Sequence, residues 1–515
     1  MTTLTKKEGF AKSVEVNIRR AKEIFHLSVN SDVILREVDI QCLGWRPAAA
    51  IFIEGLTDKF NLIEGVLKPL VNGPEMPVKR GTLGAAEIIE TLKRRDLSGY
   101  EMNSVDNWPD AIEGVNYGMT LILVDGCREA VLIETKGWDR RGIEKPDNER
   151  VIVGPHEGFN ETLKNNTSLV RRLIRNENLV TRMIKLGSQN RTDAAVMYVE
   201  GLTDPGLLEQ VEERLNSLET DYIGGTGVLE QFIEDNPWMP FPQLLTTERP
   251  DRAASYLMEG KVLIVLDGNP SVLAAPATFY SLLHGAEDYY LRLPYAAFTR
   301  VLRLLALFFC TLLPAIYVGL FLYHAETVPM ELLLSVTASR ESVPFSTIAE
   351  IIFMEFAFEL LRESAIRVPG TIGNTIGIVG ALILGQAAVE AGIVSTVLIV
   401  VVAFTGLASF ALPNYAFSFG YRFLRFMFTI LAAFFGFIGI AAGLLFSFSY
   451  LAGQESFGVP FLTPITPRRK TEPDRLLRGP VWSMDRRPAY DQPVWTRRQP
   501  KISRGWKRKG GKGHE

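Results

Sequence analysis

Four long apolar runs constrain this chain more than anything else in it. They occupy residues 301–323, 371–389, 393–412 and 426–448, all within one block from Phe298 to Tyr450. A bilayer's hydrocarbon core is about 30 Å thick and takes about 20 apolar residues to cross as helix. A soluble core has little use for four such runs in one block. The sequence therefore predicts an integral membrane protein with a polar head before the block and a polar tail after it.

The net charge of −3 is an average over these unlike parts and says little by itself. The three cysteines, Cys42, Cys127 and Cys310, share no metal-ligand spacing, and Cys310 falls inside a predicted span. No disulfide framework is expected, which fits a reducing compartment for the head. The first 22 residues are polar and carry no apolar signal core, so the head is expected to stay on the side of synthesis.

The head contains a repeat. Residues 50–58 (AIFIEGLTD) are echoed by residues 196–204 (VMYVEGLTD). A second pair, 121–126 (LILVDG) and 263–268 (LIVLDG), follows each at a similar distance. Short apolar runs that stop at glycine read as buried strands, and the amphipathic stretches after them, at 57–71 and 205–218, read as helices. Two motifs recurring in one order point to duplication. The expected fold class is an α/β soluble head of two similar mixed α/β subdomains, followed by an α-helical transmembrane domain. Boundaries are drawn at 1–35 for a helical lead-in, 36–145 and 185–275 for the subdomains, and 146–184 for a helical linker. A juxtamembrane connector covers 276–298, the membrane domain 299–450, and a basic cytoplasmic tail 451–515.

Glu54, Glu200, Asp125 and Asp267 end predicted strands, where α/β proteins often place ligand groups. Asp-Gly and Glu-Gly are also ordinary turn sequences. Gly224-Gly225-Thr226-Gly227 lacks the Gly-Lys-Ser/Thr ending of a phosphate loop and reads as a turn. His26, His156, His284, His324 and His514 show no metal spacing. Arg171, Arg172 and Arg175 form a basic cluster whose default is a solvated helix face. No catalytic, cofactor-binding or metal-ligating residue is expected, and the chain is not read as an enzyme. The rival enzymatic reading rests on Asp125 and Asp267 alone.

In the membrane block, Arg292, Arg300 and Arg303 flank the first run, and the tail from Arg468 to Lys512 carries 15 Lys and Arg against four acidic residues. Both ends are then expected on the cytoplasmic side, which requires an even number of crossings. About four spans satisfy this; Arg422 and Arg425, before the last run, strain it. An acidic helix is expected at 347–367. Glu355, Glu359 and Glu363 recur every four residues and share a face, where Glu359 can pair Arg362 and Glu363 can pair Arg367. Such a helix is either re-entrant at a cation-conducting mouth or amphipathic on a surface. The glycine-rich run carries a Gly373-x-x-x-Gly377 close-packing pattern. Its candidate pore-lining residues are Asn374, Thr375, Gly377, Ile378, Val379, Leu382 and Gln386. The candidate mouth is Glu355, Glu359, Glu363 and Glu390. Four spans are few for a carrier acting alone, so a pore of several copies is physically easier.

Several short motifs then carry a resemblance. They are 248–251 (ERPD), 266–272 (LDGNPSV), 275–279 (APATF), 343–345 (VPF), 359–363 (ELLRE), 383–394 (ILGQAAVEAGIV), 413–415 (PNY) and 482–488. In this order they resemble the A-subunit family of bacterial spore germinant receptors, the GerA family, over nearly all of residues 30 to 490. The basic end from 493 to 515 departs from it. The resemblance implies an A subunit in the spore inner membrane, working with a permease-like B subunit and a lipoprotein C subunit. It implies a homo-oligomer forming a ligand-gated cation channel that opens on nutrient sensing. Two alternatives stand beside it: a germination-amplifying paralogue associated with dipicolinic acid release, and a non-conducting scaffold that couples a permease-like partner to downstream machinery. No cofactor and no nucleic acid are implied; membrane lipid is.

Overall fold

The computed structural model describes residues 8–43, 45–72, 88–90, 101–137, 146, 149, 151–366, 380, 383–468, 477–488 and 492–499. The chain forms two compact units. The first takes residues 1–235, 244–276 and 485–515; the second takes 236–243 and 277–484.

The first unit is built twice on one plan. Strands β1 (Val33–Ile40), β2 (Arg46–Ile53), β3 (Met102–Val105), β4 (Thr120–Val124) and β5 (Ala130–Ile133) form a sheet in the order β1-β2-β4-β5-β3. Strands β6 (Leu179–Leu186), β7 (Thr192–Val199), β8 (Leu245–Thr247), β9 (Val262–Leu266) and β10 (Val272–Ala275) repeat it as β6-β7-β9-β10-β8. Every pairing is antiparallel. The echoed motifs are β2 with β7 and β4 with β9, so the expected duplication is real at the level of topology.

The apolar runs have a physical cause in the layering. Along β2, Ala49, Ile51 and Ile53 face one core, which also contains Val14, Ile18 and Ala21 from helix Val14–Ile24 and Trp108 and Ile112 from helix Trp108–Asn116. Ala48, Ala50 and Phe52 face a second core with Leu62, Val66 and Leu70. A strand with both faces covered reads as a continuous apolar run rather than an alternating one. Helix Val14–Ile24 is thus part of the first module's core, although the sequence reading starts that subdomain at 36. Helix Leu163–Leu173, inside the stretch read as a linker, and β6, which runs across the end of that stretch, likewise complete the second module.

In the second unit, helix Leu293–Tyr323 is 31 residues long and follows the expected first run. Helices Met330–Arg340, Thr347–Ile366 and Thr396–Phe410 come next. The last is 15 residues, about 22 Å at 1.5 Å per residue, and is short for a full crossing. Most of the glycine-rich run lies outside the described residues.

Helix Tyr415–Ala452 is where sequence and structure part. Gly436 breaks it, with φ 59° and ψ −140°. A Cβ placed on Gly443 would lie 2.8 Å from Leu431 Cδ1 and 2.8 Å from Phe428 Cε1. In a straight helix residues 428 and 443 stand about 22 Å apart. The element is therefore a helical hairpin with arms 415–435 and 437–452, and the run 426–448 is not one span. Tyr323 Oη closes the turn by donating to the carbonyls of Ala433 (2.7 Å) and Phe434 (3.0 Å), which the break leaves without helical partners. Among the described residues, helix Leu293–Tyr323 is long and apolar enough to cross a membrane, and the hairpin meets the same measure taken whole, over Ala416–Ala452.

The chain's last described stretch returns to the first unit. Arg487 Nε donates to Met258 O at 2.7 Å and Val494 N to Leu202 O at 2.9 Å. Residues 276 and 485 thus belong to one compact body, so any bilayer crossings between them are even in number.

Candidate functional site: ion pairs among apolar helices

The site is built on helix Thr347–Ile366 and the first arm of the hairpin. Glu355 and Glu359, one helical turn apart, meet Arg422 and Arg425, three residues apart on the facing arm. Arg425 Nε lies 2.6 Å from Glu355 Oε2, Arg425 Nη2 donates to Glu359 Oε1 at 2.7 Å, and Arg422 Nη1 donates to Glu359 Oε2 at 2.6 Å. Side-chain exposure is 2% for Arg425 and 3% for Glu355, but 11% for Arg422 and 21% for Glu359. The buried end of the cluster is Arg425–Glu355. The guanidinium of Arg422 also stacks over Phe419, 4.0 Å from the ring centre, which favours a cation with little water around it.

Two further contacts tie the same helix down. Glu350 accepts from the Ser395 backbone N–H at 3.1 Å, the N-terminus of helix Thr396–Phe410, and lies 3.3 Å from Arg340 Nε. Arg362 reaches the hydroxyls of Ser409 (3.3 Å) and Ser418 (3.5 Å), over the ring of Phe410. The expected pairing of Glu359 with Arg362 along one helix is replaced by pairing across helices. Glu363 is exposed and lies outside the four-residue cluster; Glu390 is exposed and accepts from Gln386 Nε2 at 3.1 Å. The structure therefore brings Glu355 and Glu359 together and leaves Glu363 and Glu390 elsewhere. Asn374, Thr375, Gly377, Ile378, Val379 and Leu382 lie outside the described residues, and Arg367 does too.

Chemically, the cluster holds two carboxylates against two guanidiniums. Neither Glu355 nor Glu359 is free to attract a cation in this conformation. Charges so enclosed are expensive to bury, and removing one partner strands the other. The arrangement is a neutral lock between the acidic helix and the hairpin. Sequence reasoning found its acidic half and noted Arg422 and Arg425 only as an anomaly in topology. The two anomalies cancel each other.

In the first unit the strand-end carboxylates act on backbone. Asp125 Oδ1 accepts from Val14 N at 3.1 Å, and Asp267 Oδ1 accepts from Leu163 N at 3.0 Å. Each caps the first turn of its module's leading helix, the second sign of duplication. Burial pushes the Glu54 carboxyl up, but Lys59 and Lys164 beside it outweigh burial and hold it below its ordinary range. Glu200 is exposed. Of the basic cluster, Arg171 is buried and bidentate on Asp32 (2.6 Å on each oxygen), joining the two modules. Arg172 pairs with Glu157, and Arg175 stacks over Tyr117 at 4.4 Å. A cleft of about 890 Å³ lies there, lined by Asp110, Glu113, Tyr117, Met119, Arg175 and Glu177 among others. Among the described residues, no three His, Cys, Asp or Glu side chains are grouped as a metal would require.

Comparison with known proteins gives a consistent picture. The family described as Bacillus/Clostridium GerA spore germination protein matches residues 20–490. Spore germination protein KA of Bacillus subtilis (strain 168) is 39% identical over 477 residues, covering 92% of this chain and 86% of that protein. Spore germination protein GerLA of Bacillus cereus is 36% identical over 463 residues, covering 90% and 92%. Among solved structures, the N-terminal domain of the A subunit of the Bacillus megaterium spore germinant receptor GerK3 is similar at 27% identity. It covers 54% of this chain and 98% of that one, with a TM-score of 0.42.

Proposed function

The chain belongs to the Bacillus/Clostridium GerA spore germination protein family, and on that premise we propose that it is the A subunit of a nutrient germinant receptor in the spore inner membrane. It assembles with copies of itself into a ligand-gated cation channel. A permease-like B subunit and a lipoprotein C subunit complete the receptor, and the head and tail lie on the cytoplasmic, core side.

One observation carries this reading: the Glu355, Glu359, Arg422 and Arg425 cluster, held among apolar helices. Membrane proteins keep ionisable groups at such positions chiefly where ions pass or where a conformational change is governed. Paired, the cluster holds a closed arrangement. Opening would part the acidic helix from the hairpin and free carboxylates for a passing cation. The glycine-rich run, residues 371–390, would then line the path.

The test is ion flux through the purified protein in liposomes, with Ile378→Ala and Glu359→Gln alongside. Flux that changes in either variant supports the channel. No flux from a folded, oligomeric protein favours the scaffold reading, in which the A subunit only couples a permease-like partner to downstream machinery.

A further inference from the structure

Residues 236–243 (NPWMPFPQ) interrupt the first unit's chain and belong to the second. They form a strap across the open end of the hairpin. Asn236 Nδ2 donates to Tyr450 Oη at 3.1 Å and to Gln454 Oε1 at 2.9 Å, at the end of the second arm. Phe241 packs against Phe417, at the start of the first arm, with ring centres 5.1 Å apart. Gln243 O accepts from Ser456 Oγ at 2.6 Å.

The strap opens on a turn, in which Met239 N donates to Asn236 O at 3.0 Å, and burial then alternates along it. Met239, Phe241 and Gln243 are buried, at 7%, 3% and 0% exposure. Trp238 is on the opposite phase and is 93% exposed. An indole held outward on a pinned strap, between three prolines, is not a loop in search of a core.

Its level in the molecule is set by what the strap touches. The apolar arms begin at Ala416 and end at Ala452. At that level the sequence turns polar on both sides, at Pro413-Asn414 and at Gln454-Glu455. Other exposed or half-buried rings stand at the ends of the same apolar helices: Tyr295 and Phe298 in the first turns of helix Leu293–Tyr323, Phe419 on the first arm, and Tyr450 near the end of the second. Indole and phenol rings, apolar bodies with a polar handle, favour the depth at which headgroups meet acyl chains.

We propose that Trp238 is an interfacial anchor that inserts among lipid headgroups and fixes the membrane surface at the open end of the hairpin. The proposal rests on the membrane-receptor reading and adds the depth at which that receptor sits. Gly420 lies against Pro240 and Phe241, so Arg425, five residues on, stands about 8 Å beyond that plane. The ion cluster then lies in the outer part of the hydrocarbon rather than at its centre.

The experiment uses the full chain in phosphatidylglycerol–phosphatidylethanolamine vesicles containing lipids brominated either near the headgroup or near the bilayer midplane. The chain has seven tryptophans, so the signal of Trp238 is the difference in emission between wild type and Trp238→Phe. That difference should lose most of its intensity with shallow bromines and little with deep ones. Quenching by aqueous acrylamide alone, or by neither lipid nor acrylamide, would overturn the anchor. Carbonate extraction of the same vesicles separates the two claims. Protein that stays in the membrane without lipid quenching of Trp238 sinks the anchor alone; protein washed off sinks the membrane reading with it.

Discussion

Arg425 Nε lies 2.6 Å from Glu355 Oε2, and the two side chains are 2% and 3% exposed. Such a pair is a poor source of stability, because desolvating both ions offsets their attraction; breaking it is worse, because one charge is left alone. Arg425 keeps Glu359 when Glu355 is lost, whereas Glu355 keeps nothing when Arg425 is lost. Arg425→Leu should therefore destabilise by about 3–5 kcal/mol, and Glu355→Leu by less. The double variant should recover much of the loss. Thermal unfolding in detergent checks this, and a double variant no better than Arg425→Leu would mean that the two residues are not coupled.

Asp125 and Asp267 provide a second test, now of the head. Each accepts one backbone N–H at the start of a helix. Losing such a cap costs about 1 kcal/mol. Asp125→Ala and Asp267→Ala should each lower the head's unfolding temperature by a similar, small amount and leave germination intact. Abolished function in a stable Asp267→Asn protein would instead revive a chemical role for that carboxylate.

Glu230, in helix Thr226–Ile233, makes the head's stability depend on pH. Burial first, and then the neighbouring Glu234, push its carboxyl up to about 8. The folded state thus holds a proton that the unfolded chain releases above its ordinary carboxylate range. Its contribution is fully present below that range and is lost as pH rises through about 8. Glu230→Gln should therefore leave stability at pH 4 nearly unchanged and raise it at pH 8, flattening the profile between. The head's melting temperature measured across that range decides it; a variant that melts earlier at pH 8 would contradict the assignment.

The duplicated head was legible because its signal is local. Strands β2, β4, β7 and β9 each announce themselves as an apolar run that stops at a glycine, and two such runs in one order suffice. Its leading helices were not assigned to the modules, since what joins Val14 to Asp125 is a hydrogen bond 111 residues away. The ion cluster showed the same limit. Its acidic and basic halves are 63 and 66 residues apart in the chain, and each half read as an oddity until the fold set them face to face. The turn at Gly436 had no signal at all. Phe435-Gly436-Phe437 sits in a continuous apolar stretch, and periodicity does not register a reversal of direction.

That reversal can be tested directly. Leu431 and Gly443 are twelve residues apart, about 18 Å along a straight helix, yet a Cβ at 443 would lie 2.8 Å from Leu431 Cδ1. In a background with Cys42, Cys127 and Cys310 replaced by serine, Leu431→Cys with Gly443→Cys should form a disulfide on mild oxidation in the membrane. A straight helix would give none. Gly436 supplies the control. At φ 59° and ψ −140° the backbone is open essentially to glycine, and a side chain forced there costs of order 1–3 kcal/mol. Its Cβ would also meet the Tyr323 ring at 3.0 Å. Adding Gly436→Val should therefore weaken or abolish the crosslink. A crosslink that survives it unchanged would mean that the two arms are held together by their packing alone, and that the glycine is incidental to the turn.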